Sequence, residues 1–162
     1  MKNLFSLFLL LPLFLAISCK NVDQAPVAQI EENIASMQAQ TGDYDMNTQG
    51  IVNFADLVDT APEALKNDTS SGYAVLREKV TAVRTKQEAT VIEFKQVLGE
   101  LQAAAAEYSA GKINTDQAEA KRVFLMTRLA AIQDLLGRVG QLNDEAQTEY
   151  GKMMAEYRSK TE

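Results

Sequence analysis

The chain predicts an all-α fold: an elongated helical bundle built on a long antiparallel helical hairpin, with a shorter helix on its N-terminal side. Three observations carry this. Apolar residues recur at alternating steps of three and four through four heptads between Val80 and Tyr108, with no proline. A strong turn, Gly111-Lys112-Ile113-Asn114-Thr115, separates that stretch from a second long helical pattern. The composition, with 3 prolines and 8 glycines among 162 residues, favours helix, and nowhere does an apolar/polar alternation suggest a strand.

The first element is MKNLFSLFLLLPLFLAISC. Lys2 gives it a positive start, and Leu4–Ile17 is an uncharged apolar run of about 14 residues, short of the ~20 that span a bilayer. Ala16, Ile17 and Ser18 lead to Cys19, the one cysteine of the chain. This resembles a bacterial lipoprotein signal, whose cysteine receives a diacylglyceryl group, becomes the mature N-terminus on cleavage, and is then N-acylated. The family usually carries Leu three residues before that cysteine. Here Ala16 stands there and Leu15 one step further out, as looser lipoboxes accept. The resemblance implies that residues 1–18 are a signal peptide and that Cys19 is the lipidation site. The alternative is an ordinary secretory signal followed by a free or disulfide-forming cysteine. Lys20 after the cysteine resembles the outer-membrane default rather than the Asp that holds enteric-type lipoproteins in the inner membrane. Periplasmic and surface-facing placements both stay open.

Cleavage before Cys19 leaves 144 residues, enough for one domain. Lys2 is the only charge removed, so 15 basic residues face 22 acidic ones, about −7. That balance argues against nucleic acid as a partner and against a basic surface docking on anionic headgroups. The chain has no histidine, hence lacks the commonest general acid/base and metal ligand. With Cys19 acylated it lacks a thiol nucleophile as well. Apart from the covalent lipid, no cofactor is expected.

Residues 19–26 read as a lipidated tether ending at Pro26, and residues 27–162 as the helical-bundle domain. Val27, Ile30, Ile34 and Met37 predict a first helix to about Gln40, broken by Thr41-Gly42-Asp43. Ile51, Phe54, Leu57 and Val58 suggest a short amphipathic helix, Pro62 starts a further turn, and Asn67–Gly72 is a polar loop. The helix from Gly72 to Ser109 would be about 57 Å long. Its stripe includes two polar residues, Gln87 and Thr90. In the turn, Gly111 suits a left-handed conformation, Asn114 caps the next helix with Gln117 returning the bond, and Ile113 and Ala118 form a staple. The last helix runs from Thr115 to about Arg158. Leu125, Leu129, Ile132, Leu136, Val139, Ala146, Tyr150, Met153 and Tyr157 form its stripe, and Asn143, or Leu142 with a local shift, fills the gap after Val139. Gly137, Gly140 and Gly151, at about 1 kcal/mol each against Ala, suggest a close crossing or bends.

Asp43, Asp45 and Asn47 form a D-x-D-x-N run like the start of a calcium loop. Thr48 and Phe54 occupy the positions that need Gly and a bidentate Glu, so a solvated turn is the better reading. These three remain the candidate metal ligands the chain offers. Glu31–Glu32, Asp56–Asp59 and Asp144–Glu145 with Glu149 read as solvated helix surface rather than acid/base pairs. Phe54, Phe94, Tyr108, Phe124, Tyr150, Met153, Met154 and Tyr157 invite a ligand-pocket reading, but at helical spacing core is the better one.

The expected function is that of a lipid-anchored cell-envelope protein, not an enzyme, acting as a helical interaction or structural module. Its partners would be the membrane, through the lipid, and another envelope protein or a second copy. Tyr150, Met153, Met154 and Tyr157 are the candidate partner-binding residues, because little else in the sequence would cover them. The alternative is a carrier of a small ligand or metal.

Overall fold

The structure, a computed structural model, describes residues 25–161, with side chains from residue 27. Cys19, the expected signal peptide (residues 1–18) and residues 19–24 of the expected tether lie outside the described residues. Four helices follow in order: α1 (Ala25–Asp59), α2 (Glu63–Asn67), α3 (Tyr73–Ser109) and α4 (Thr115–Thr161). The all-α hairpin architecture is as the periodicity predicts. Among the described residues no helix is long and apolar enough to cross a membrane.

One expectation is corrected. The N-terminal helix is neither short nor broken at Thr41-Gly42-Asp43. It is 35 residues long, about 52 Å, and takes in Ala25 and Pro26 from the expected tether. Proline is tolerated in the first helical turn, where its missing N–H has no intrahelical partner to lose. The helix continues because its heptads continue. Val27, Ile34, Thr41, Thr48 and Ala55 form one row, and Ile30, Met37, Tyr44, Ile51 and Val58 the other. Two threonines hide the first row from an apolar count. Their hydroxyls are satisfied along the helix, Thr41 Oγ1 donating to the Met37 carbonyl at 3.0 Å and Thr48 Oγ1 to that of Tyr44 at 2.7 Å. Burial of Ile30, Met37, Ile51 and Val58 outweighs the roughly 1 kcal/mol of Gly42. Leu57, expected inside, is 52% exposed.

α1 packs antiparallel to α3, and α3 antiparallel to α4, so α1 and α4 run parallel. Cross-helix ion pairs mark the register: Asp45 with Lys95 at 2.8 Å, Asp59 with Arg77 at 2.6 Å, Glu100 with Arg128 at 2.8 Å. All are exposed and worth at most about 1 kcal/mol each. The carboxylates Asp56, Asp59, Glu145 and Glu149 face Arg84, Arg77 and Lys79 in such pairs.

Both turns are built as local chemistry requires. Gly111 has φ 67° past the end of α3. Asn114 and Gln117 exchange reciprocal bonds of 3.0 and 2.9 Å, a capping box opening α4. At the opposite pole, Gly72 has φ 73° before α3, and Asp68 accepts from the Ser70 backbone at 2.8 Å. At the end of α1, Leu57 O and Val58 O accept the backbone N–H groups of Thr60 and Ala61, each at 3.1 Å, and side chains add to these. The Tyr73 phenol donates to Val58 O at 2.7 Å, the Thr60 hydroxyl to Leu57 O at 2.8 Å, and the Tyr150 phenol reaches the same oxygen at 3.5 Å.

The core falls into three groups. Near the α3–α4 turn, Ile30, Met37, Phe94, Leu101, Tyr108 and Leu125 are among twelve buried residues from all three long helices. At the far pole, Phe54, Val58, Leu65, Tyr73, Leu76 and Tyr150 belong to another. Between them lies only a small group, Ile51, Val83 and Val139. The buried polar residues Gln87, Thr90 and Asn143 occupy this thin waist.

Candidate functional site

The waist is where α1 and α4 part. Each packs along α3, but they approach one another far less closely. They touch on both sides of the gap. Gln133 Nε2 donates to Gln40 Oε1 at 2.9 Å toward the hairpin tip, and Tyr150 meets the end of α1 toward the far pole. Between these contacts, a distance of about 26 Å along α1, lies an open cleft of about 610 Å³. Gln87 of α3 is on its floor. Asn47, Gly50 and Ile51 line one wall, and residues of α4 from Gln133 to Gln147 the other.

Glycines shape the walls. A Cβ built at Gly50, Gly137 or Gly140 would meet nothing within 4 Å. The sequence suggested a close crossing or bends at Gly137, Gly140 and Gly151. None of the three is pressed by a neighbour, and α4 runs unbroken through all of them. Gly50, Gly137 and Gly140 leave the cleft wide instead.

Polar groups set its chemistry. Gln87 is 3% exposed and donates from Nε2 to Thr48 Oγ1 at 3.1 Å. Asn143 is 9% exposed and lines the cleft, and among the described residues no hydrogen bond holds its carboxamide. Asn47, Gln133, Asp144 and Gln147 add four more planar polar side chains, and the lining has no Lys or Arg. Burial pushes the Tyr73 phenol up, and hydrogen bonds from Lys121 and Arg122 hold Glu107 and Glu119 below the usual carboxylate range.

The metal candidates are dispersed. Residues 43–47 belong to α1, so the loop a calcium site would need does not form. At 100° per residue, Asp45 points roughly opposite Asp43 and Asn47. It pairs with Lys95, while Asn47 lines the cleft. Among the described residues no group of three His, Cys, Asp or Glu is arranged to hold a metal ion.

The expectation that Tyr150, Met153, Met154 and Tyr157 stand uncovered is also corrected. Tyr150 is buried against Phe54, ring centroids 5.9 Å apart and edge to face. Met153, Met154 and Tyr157 are half-buried against the same far-pole core, covered by Phe54, Ala55 and Val58 of α1, in the segment expected as a separate short helix, together with α2. Phe124, expected in the core, is 60% exposed beneath the Arg128 guanidinium, 5.9 Å from its ring centroid.

Sequence reasoning noticed Gln87 and Asn143 but missed their neighbours. A signal was present: Gln133, Gly137, Gly140, Asp144 and Gln147 recur at helical steps on α4 as a stripe without a large apolar residue. Compared with protein-family models, curated proteins and solved structures, the chain matches none.

Proposed function

We propose that this chain is a lipid-anchored protein of the bacterial cell envelope that serves as a non-catalytic binding module, with the α1/α4 cleft as its point of engagement. The observation that supports this reading most is the cleft itself: two helices otherwise packed along a common partner separate where buried carboxamides line the gap. The N-terminus of α1 lies at the pole of the α3–α4 turn. A lipid on Cys19 would bring that pole toward the membrane and hold the cleft about 35 Å along the rod. The negative balance of the mature chain would keep the rod from lying down on anionic headgroups. A bounded opening, rather than a groove running the length of the bundle, also favours the carrier version of this reading, in which the guest is small.

Two measurements test it. Cys19→Ala should leave the chain without acyl mass and with residues 1–18 uncleaved, whereas the native protein should carry acyl mass on residue 19. A mature native chain with an unmodified thiol at Cys19 rules out the anchor. A photocrosslinking residue at position 144 should give adducts in cells that the same residue at exposed Glu93 does not. Equal labelling at both positions rules out the cleft.

A further inference from the structure

We infer that the cleft between α1 and α4 is a site for an uncharged saccharide, an inference that rests on the binding-module reading above and gives it a ligand. Asn143 is nine-tenths buried, lines the cleft, and has its carboxamide bonded to no described group. Solvent reaches its amide atoms from the cleft, so a guest that supplies both a donor and an acceptor can take the place of that water. Gln87 uses one amide hydrogen on Thr48 and has a second donor and its Oε1 for a guest.

The class of guest follows from the rest of the lining. Carboxamides or a carboxylate stand on both walls and the floor, and each carboxamide carries donor and acceptor side by side, as vicinal hydroxyls do. With Asp144 present and no Lys or Arg, the lining would repel phosphates and carboxylates. Ile51 and Leu136 supply apolar surface for the C–H face of a sugar ring. Gly137 and Gly140 let a ring approach the α4 backbone, since nothing lies within 4 Å of where their side chains would begin. The size is that of small-ligand sites, which run from about 300 to 1,000 Å³. A docked helix running the length of the bundle fits less well, because α1 and α4 meet on both sides of the opening.

The test is titration calorimetry on the full lipid-bearing chain in a non-glycosidic detergent. The probes are N,N′-diacetylchitobiose, cellobiose and, as the charged control, cellobiouronic acid. Saturable binding of a neutral disaccharide, with the uronic acid bound at least tenfold more weakly, is the expected result. A preference for diacetylchitobiose over cellobiose would assign the amides to an acetamido group, and equal binding to the hydroxyls. Asn143→Leu should weaken binding about tenfold while leaving the helical circular-dichroism spectrum unchanged. Gly140→Leu, whose Cβ would meet nothing within 4 Å, should abolish binding by filling the cleft. The inference is overturned if neither neutral disaccharide binds at tens of millimolar, if the uronic acid binds as well, or if both variants bind like the parent. Position-specific crosslinking at residue 144 without saccharide binding would leave the binding-module reading standing and remove only this one.

Discussion

Replacing Gly137 and Gly140 together by alanine should make the protein more stable. Both sit inside α4, where glycine is less favourable than alanine by about 0.8–1 kcal/mol, because it restricts a freer unfolded chain and shields less backbone. The usual opposing term, a methyl pressed into a neighbour, is missing: the new Cβ atoms meet nothing within 4 Å. The two positions are three residues apart, but neither methyl displaces a partner, so the gains should add to about 2 kcal/mol. For about 140 ordered residues the entropy of unfolding is about 0.3 kcal/mol/K, which converts 2 kcal/mol into a rise of about 7 °C in Tm. Urea unfolding followed by circular dichroism should show a higher midpoint with an unchanged slope. A double variant no more stable than the parent, or less stable, would refute the reasoning, because it would mean that α4 is crossed closely or bent at these glycines.

Three further outcomes follow from particular contacts. Gly111→Val should lower stability by about 1–2 kcal/mol in the same urea assay, because a β-branched residue resists the observed φ of 67°. Asn33→Leu should raise stability by about 1 kcal/mol, since Asn33 Nδ2 is buried with no partner among the described residues, and a fall on denaturant titration would show that it has one. Burial raises the Tyr73 pKa, so the folded chain keeps that proton to higher pH than the unfolded chain, whose phenol ionises near pH 10. Stability from this source should be whole below about pH 10 and lost as pH climbs through the folded-state value. Tyr73→Phe should lose about 1 kcal/mol at neutral pH with the bond to Val58, and its alkaline melting curve should fall less steeply than the parent's.

The hairpin was legible because its signals are local. The apolar stripe of α3, Gly111, and the Asn114–Gln117 pair each depend on residues within a few positions of one another. α1 was legible only as fragments. Thr41 and Thr48 hold heptad positions through hydroxyls that bond backward along the helix, so an apolar count sees a break where α3 supplies enough packing to carry the helix through Gly42. The covering of Tyr150, Met153 and Tyr157 was missed although Phe54 and Val58 were expected in a short helix, because that helix was not joined to the first one and so had no fixed place along α4. The cleft lay further out of reach. Gln87 and Asn143 stood out as polar residues in apolar stripes, yet whether such residues meet a partner, water or a gap depends on the distance between helices about 90 residues apart in sequence.

The thin waist has a consequence for how the rod comes apart. Twelve buried residues hold the pole of the α3–α4 turn and a separate group holds the other, with only Ile51, Val83 and Val139 joining them. Cooperative unfolding needs a continuous apolar bridge, and here the bridge is narrow. The far pole, with α2 and the end of α4, should therefore open as its own unit while the turn end stays folded. Native-state amide exchange would then sort into two protection classes, divided near Gln87 on α3 and Asn143 on α4. A guest spanning the cleft would tie α1 to α4 across that division, and the two classes should merge into one.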